Sequence, residues 1–129
     1  MANLNNKVIL ITGGTGFLGK ALARNFIKQK VKKLIIFSRD EQKQFKLSKK
    51  FSSKQLQKLR FFIGDIRDRD RLRMALKDVD VVFHAAAMKH VGISEYNPTE
   101  CVKTNINGSE NLIYASLDQK VKKVVAIST

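Results

Sequence analysis

Five short apolar runs, rich in β-branched residues and fenced by charge or glycine, dictate most of what this chain can become. They are KVILIT (7–12), KLIIFS (33–38), RFFIGD (60–65), DVVFHA (80–85) and KVVAIS (123–128). Runs that are apolar at successive positions read as strands buried on both faces, and such strands belong to parallel sheets. Helical periodicity fills the gaps: Leu18, Leu22 and Phe26 recur every fourth residue, Leu72, Ala75 and Leu76 mark a second segment, and Val102, Ile106, Ser109, Ile113 and Leu117 form the stripe of a third. That last helix is predicted to open with Asn97 as N-cap, Pro98 at the first helical position and Glu100 at the third. Between Glu41 and Leu59 the apolar residues Phe45, Phe51, Leu56 and Leu59 fit no single period, which predicts an irregular or broken helix. Strands and helices alternating at these lengths specify an α/β fold, a doubly wound parallel sheet of about five strands joined by right-handed crossovers. One domain over residues 1–129 is expected.

The 43% hydrophobic content is enough for one core. The lone Cys101 excludes an internal disulfide, and no metal site is expected. No run approaches a membrane span, and Met1 to Asn6 is too short and too polar for a secretory signal, so a cytoplasmic protein without a membrane partner is expected. The 25 Lys and Arg against 11 Asp and Glu, a formal +14, would attract polyanions. They concentrate between Arg39 and Arg73, where no zinc-ligand spacing, RNP-type aromatic pattern or helix-turn-helix is found. A solvated basic surface with no nucleic-acid partner is therefore expected.

Ligands of doubly wound sheets bind beyond the carboxyl ends of the strands. The first strand closes on ITGGTGFLGKAL, where Gly14, Gly16 and Gly19 satisfy G-x-G-x-x-G and Gly13, Gly16 and Gly19 satisfy G-x-x-G-x-x-G. Either way, a turn without Cβ atoms brings backbone N–H groups to a pyrophosphate at the positive end of the next helix, which Gly19 lets pack closely. The second strand closes on FSRDEQK. Ser38, Arg39 and Lys43 suit a ribose 2′-phosphate, favouring NADP over NAD, while Asp40, if turned inward, would accept from a free ribose hydroxyl. At the third, GDIRD sets Asp65 to accept from an adenine amino group, or to cap its own loop, and Ile66 to pack on the ring. At the fourth, in HAAAMKH, Ala85, Ala86 and Ala87 leave room for the middle of a dinucleotide, and Lys89 reads either as an ammonium that donates to a diphosphate or to sugar oxygens or as a solvent-exposed lysine. His84 reads as a hydrogen-bonded structural residue; His90 is open between structural and functional roles.

ITGGTGFLGK, SRDEQKQ, FFIGDIRD, HAAAMKHVGISEYNPTECVKTNINGSENLIYAS and VVAIST together resemble the amino-terminal part of the UDP-N-acetylglucosamine 4,6-dehydratases, with the inverting type nearest. These are extended short-chain dehydrogenase/reductase proteins of bacterial polysaccharide and flagellin-sugar synthesis. AAMKHV and EYNPTECVKTNINGS carry the most specific part of the likeness. The resemblance implies an NAD(P)-binding Rossmann domain, a UDP-sugar substrate touched by Lys89, and a homo-oligomer assembled through helices that flank the sheet. It adds cofactor contacts from Thr15, Phe17, Leu18 and Ser128, although Phe17 and Leu18 stand where the family has serine and phenylalanine. Thr129 would lie on the nicotinamide side with a catalytic hydroxyl. The family's Tyr-x-x-x-Lys is not among these residues, so the chain is expected to be a cofactor half, inactive alone. Three alternatives stand beside this reading: another nucleotide-sugar epimerase or dehydratase, a non-catalytic NADP-binding module, and a basic nucleic-acid-binding protein.

Overall fold

The computed structural model of the chain describes residues 3–85, 92–96 and 110–128. In order these form β1 (Val8–Thr12), α1 (Phe17–Phe26), β2 (Lys33–Ser38), α2 (Glu41–Ser48), α3 (Ser53–Leu56), β3 (Leu59–Ile63), α4 (Arg69–Leu76), β4 (Val81–His84), β5 (Gly92–Tyr96), α5 (Glu110–Asp118) and β6 (Lys123–Ser128). The strands make one sheet in the order β3-β2-β1-β4-β6-β5. The five expected strands are all present and pair in parallel, with Val8 opposite Lys33, Leu34 opposite Leu59, Ile9 opposite Val81 and Val81 opposite Lys123.

Side chains alternate across a strand, and the two faces of this sheet bury two separate cores. Leu10, Ile35, Phe37, Phe62, Val82 and Val124 meet Leu72 and Leu76 of α4 and Leu112 and Ile113 of α5. Ile9, Ile11, Leu34, Ile36, Phe83 and Val125 meet Ala23 and Phe26 of α1, Leu47 of α2, and Phe51. Burial on both faces explains why β1, β2 and β4 are apolar at successive positions. β3 departs from that expectation: it is the outer strand, and only Phe62 is buried while Arg60 and Ile63 are exposed.

Two further points differ from or sharpen the sequence expectation. The segment from Glu41 to Leu59 is indeed a broken helix: α2 is capped by Asp40, and α3 carries a capping box between Ser52 and Gln55. The sixth strand was not expected. GISEY runs antiparallel to β6, Gly92 opposite Ser128 and Tyr96 opposite Val124, so the edge of β6 away from β4 is covered. An antiparallel edge strand need not be apolar throughout, and a search for continuous apolar runs passes over it. The helix start at Asn97, Pro98 and Glu100 lies outside the described residues.

Returns into β1, β4 and β6 each use a left-handed residue, Asn6 (φ 60°), Asp78 (φ 64°) and Lys120 (φ 59°). At the end of α5, Val121 N–H donates to the Ser116 carbonyl at 2.9 Å and Lys120 N–H to that of Leu117 at 3.1 Å, the Schellman pattern. β1 lies between β2 and β4, and chain progression reverses there, which opens a crevice at its carboxyl end. Among the described residues no helix is long and apolar enough to cross a membrane.

Candidate functional site

Beyond the carboxyl ends of β1, β2 and β3 lies a cleft of about 540 Å³. Its first wall is Thr12, Gly13 and Thr15; its second is Phe37, Ser38, Arg39, Asp40 and Lys43; its third runs from Gly64 to Arg67. Side-chain charge on these walls is three cations, Arg39, Lys43 and Arg67, against two carboxylates, Asp40 and Asp65.

The first wall is a main-chain turn. Gly13 adopts φ 66°, a left-handed conformation, and its N–H donates to the Phe37 carbonyl at 3.1 Å. A Cβ on Gly19 would collide with the Gly13 carbonyl oxygen and stand 2.6 Å from Gly14 Cα, so α1 lies against its own turn only because Gly19 is bare. Gly16 differs: it is exposed, at φ −74°, and among the described residues a Cβ there would meet nothing nearer than the Gly13 oxygen at 3.4 Å. None of the described residues requires glycine at this position. Gly16 is the N-cap of α1, and among the described residues no side chain caps the first-turn N–H groups, which leaves the positive end of the helix available to an anion. Phe17 stands exposed beside it, whereas Leu18 is half-buried against the α1 face of the core.

On the second wall Ser38 is buried, and its hydroxyl accepts from Gln44 Nε2 at 2.8 Å. Asp40 is exposed and accepts from Lys43 N–H at 3.1 Å, so one of its oxygens serves as the N-cap of α2. Arg39 and Lys43 are exposed at the rim.

Asp65 forms the third wall with Arg67. Arg67 donates to it through Nη2 at 2.8 Å, Nε at 3.1 Å and its backbone N–H at 2.9 Å, while Arg39 Nη1 stands 3.9 Å away. The Arg67 guanidinium first, then its backbone N–H, bring the carboxyl down to about 2. The carboxylate is thus both a loop cap and one half of an ion pair. Asn111 of α5 holds this loop from behind, donating to the Arg67 carbonyl at 2.9 Å. Ile66 is half-buried against the α4–α5 core.

At the β4 end, His84 is buried and its Nδ1 lies 2.6 Å from the Thr12 hydroxyl. Burial lowers its pKa from 6.5 to about 4, so the imidazole is neutral near pH 7. Ala85, half-buried, donates its N–H to the Thr12 carbonyl at 3.1 Å. Ser128 contributes backbone to β6 opposite Gly92. Ala86, Ala87, Lys89, His90 and Thr129 lie outside the described residues.

Of the residues singled out in the sequence, Gly13, Thr15, Ser38, Arg39, Asp40, Lys43, Asp65 and Ile66 line this one cleft. Three others that shape it carried no assignment. Gln44 is polar on the inward side of α2, three residues before Leu47, and that misplaced polarity was the available signal. Arg67 and Asn111 gave none, because their partners lie in a loop whose path is not a periodic property.

A doubly wound sheet that reverses at β1, with a glycine turn leading into α1, defines a Rossmann-type domain. The chain belongs to the polysaccharide biosynthesis protein family, whose model matches residues 9–129. It is 54% identical over 126 residues to a UDP-N-acetylglucosamine 4,6-dehydratase (inverting) of Campylobacter jejuni, covering 97% of this chain and 37% of that protein. A UDP-glucose 4-epimerase of Rickettsia bellii is 44% identical over 128 residues, with 96% of this chain and 37% of that protein covered. Among solved structures, Pen from Bacillus thuringiensis superposes with a TM-score of 0.77 at 48% identity, covering 95% of this chain and 39% of that one. The chain thus spans little more than a third of the length of these relatives.

Proposed function

We propose that the cleft binds NADP and that the chain is the cofactor-binding part of a nucleotide-sugar 4,6-dehydratase acting on UDP-N-acetylglucosamine, in bacterial surface-polysaccharide or flagellin-glycan synthesis. The observation that carries the cofactor reading is Gly16. It is a bare position that none of the described residues needs, on a helix end they leave uncapped, directly after Thr15 of a cleft whose walls carry Arg39, Lys43 and Arg67. A pyrophosphate needs a backbone it can approach and the positive end of a helix. Ser38, Arg39 and Lys43 then stand to take a 2′-phosphate, and Ile66 offers an apolar surface to the adenine. Asp65 is to accept from the adenine amino group with lone pairs that the Arg67 fork leaves open. Bound there, NADP⁺ would supply a two-electron hydride acceptor and, once reduced, a hydride donor for the sugar.

In this reading Thr15, Phe17, Leu18, Ala85, Ala86, Ala87, Lys89 and Ser128 complete the cofactor contacts. Lys89 also meets the UDP-sugar, and Thr129 serves at the nicotinamide end. A cytoplasmic homo-oligomer is the proposed working form. These 129 residues alone are proposed to bind cofactor without turnover, because no Tyr-x-x-x-Lys pair to transfer the C4 proton is among them.

The 44% identity to a UDP-glucose 4-epimerase favours a second reading, in which the hydride returns to C4 and no water is lost. One assay separates the two. The gene product that carries this chain, given NADP⁺ and UDP-N-acetylglucosamine, is expected to yield a 4-keto-6-deoxy product lighter by one water. A product of unchanged mass and inverted C4 would favour the epimerase, and unchanged sugar would refute both.

A further inference from the structure

We infer that Gln44 is a positioning residue for cofactor selection: it holds the Ser38 hydroxyl as a donor toward the cleft, matching a ribose 2′-phosphate rather than a free 2′-hydroxyl. The inference rests on the NADP reading above and names a residue that acts through Ser38.

Gln44 is 3% exposed, on the side of α2 turned to the sheet. Its Nε2 lies 2.8 Å from Ser38 Oγ, 3.1 Å from the Phe62 carbonyl oxygen and 3.3 Å from the Ser38 carbonyl oxygen. Two of these three neighbours are main-chain carbonyls at the ends of β2 and β3, and a carbonyl oxygen can only accept. Turning the amide over would set its own oxygen against both of them. The backbone of two strands therefore decides which end of the amide faces inward, and it is the NH₂ end. An amide nitrogen cannot accept, so Ser38 Oγ, the nearest of the three at 2.8 Å, takes one of the two protons, and the two carbonyls, at 3.1 and 3.3 Å, share the other. A hydroxyl has one proton, and with its oxygen accepting from Gln44, that proton is left to be donated elsewhere.

Ser38 lines the cleft between Phe37 and Arg39, with Lys43 one turn along α2. A phosphate, which only accepts, gains from a donor hydroxyl set beside a guanidinium and an ammonium. A ribose hydroxyl both donates and accepts, and gains far less from a partner fixed in one role. Without the Gln44 amide, the Phe62 and Ser38 carbonyls lose one donor beyond those of the strand ladder, and the Ser38 proton is drawn inward toward the strand ends. The cleft then loses a donor while its shape and charge stay the same. The loss therefore falls on the 2′-phosphate alone.

The test is a set of calorimetric titrations of NADP⁺ and NAD⁺ into the parent protein, Ser38→Ala, Gln44→Met and the double variant. The parent is expected to prefer NADP⁺. Ser38→Ala should weaken NADP⁺ roughly tenfold and NAD⁺ by less than about twofold, as for loss of one hydrogen bond to a charged group. Gln44→Met should shift the NADP⁺:NAD⁺ ratio in the same direction, and in the Ser38→Ala background it should shift it no further. A merely structural Gln44 would weaken both cofactors equally, or would change the ratio with Ser38 absent; either result overturns the inference. Should Gln44→Met fail to fold, Ser38→Ala keeps both carbonyl hydrogen bonds of Gln44, and an unchanged NADP⁺ affinity there overturns it instead. A parent that binds NAD⁺ as tightly as NADP⁺ would refute the NADP reading itself. A parent that prefers NADP⁺, with a ratio unmoved in the variants, would remove Gln44 alone.

Discussion

Gly16→Ala and Gly19→Ala make the same chemical change three residues apart, and the structure assigns them opposite consequences. At Gly19 the new Cβ would overlap the Gly13 carbonyl oxygen, stand 2.6 Å from Gly14 Cα and 2.9 Å from the Gly13 carbonyl carbon. All three contacts are backbone, so α1 must shift off its turn, at about 1–3 kcal/mol, the usual range for overpacking. At Gly16 the backbone is at φ −74° and ψ 172°, open to any residue, and the nearest atom to a new Cβ is at 3.4 Å. Folding should be unchanged or stabilised by up to about 1 kcal/mol, through the smaller entropy of the unfolded chain. The Gly16 methyl group would instead stand where a pyrophosphate must approach, and NADP⁺ affinity should fall at least about tenfold, or ~1.4 kcal/mol. Urea denaturation of both variants, paired with calorimetric titration of NADP⁺, separates the two effects. If Gly16→Ala lost as much stability as Gly19→Ala, or kept the parent's NADP⁺ affinity, the assignment of Gly16 to a ligand would be wrong.

Other expectations concern the scaffold. His84, at about 4 when folded against 6.5 unfolded, takes up its proton more readily in the unfolded chain. Its contribution is therefore fully present above pH 6.5 and is lost as pH falls toward 4, by about 2–3 kcal/mol at most; urea midpoints across that window should flatten in His84→Gln. Asp65, lowered to about 2 from 3.8, acts below that window and should not mask the effect. Lys120→Gly should stabilise by about 0.5–1 kcal/mol in thermal or urea melts, because Lys120 sits at φ 59°, where glycine carries no Cβ penalty. Ser116 is fully buried, and among the described residues its hydroxyl has no hydrogen-bond partner, so Ser116→Ala should raise stability by about 1 kcal/mol in the same melts.

How far the structure can be read from the sequence depends on the range of the forces involved. β1, β2, β4 and β6 were visible because burial on both faces leaves a local mark, a run dominated by apolar residues; β3 was visible because LRFFI keeps that composition although only Phe62 is buried, and the glycine turn because backbone sterics act within a few positions. β5 was hidden: its place is fixed by pairing of Gly92 with Ser128, thirty-odd residues away, and its composition need satisfy only an edge. The cleft followed the same division. Ser38, Arg39, Lys43 and Asp65 were found because each closes a strand, whereas Gln44 reaches the site from inside a helix and Asn111 from across the sheet's edge, through contacts with the Phe62 and Arg67 carbonyls that no spacing encodes. Asp40 and Asp65 show the cost of reading residue types alone, for both carboxylates also serve as local caps.

The most direct test of the central claim is a titration of the purified chain with NADP⁺ and with NAD⁺, repeated on Arg39→Ala. Saturable binding of NADP⁺ that is tighter than that of NAD⁺ is expected, with a loss of about 1.5–3 kcal/mol for NADP⁺ in the variant and NAD⁺ nearly unchanged, the worth of a hydrogen bond to a charged group. No binding of either nucleotide by the folded protein, or equal losses for both in Arg39→Ala, would contradict it.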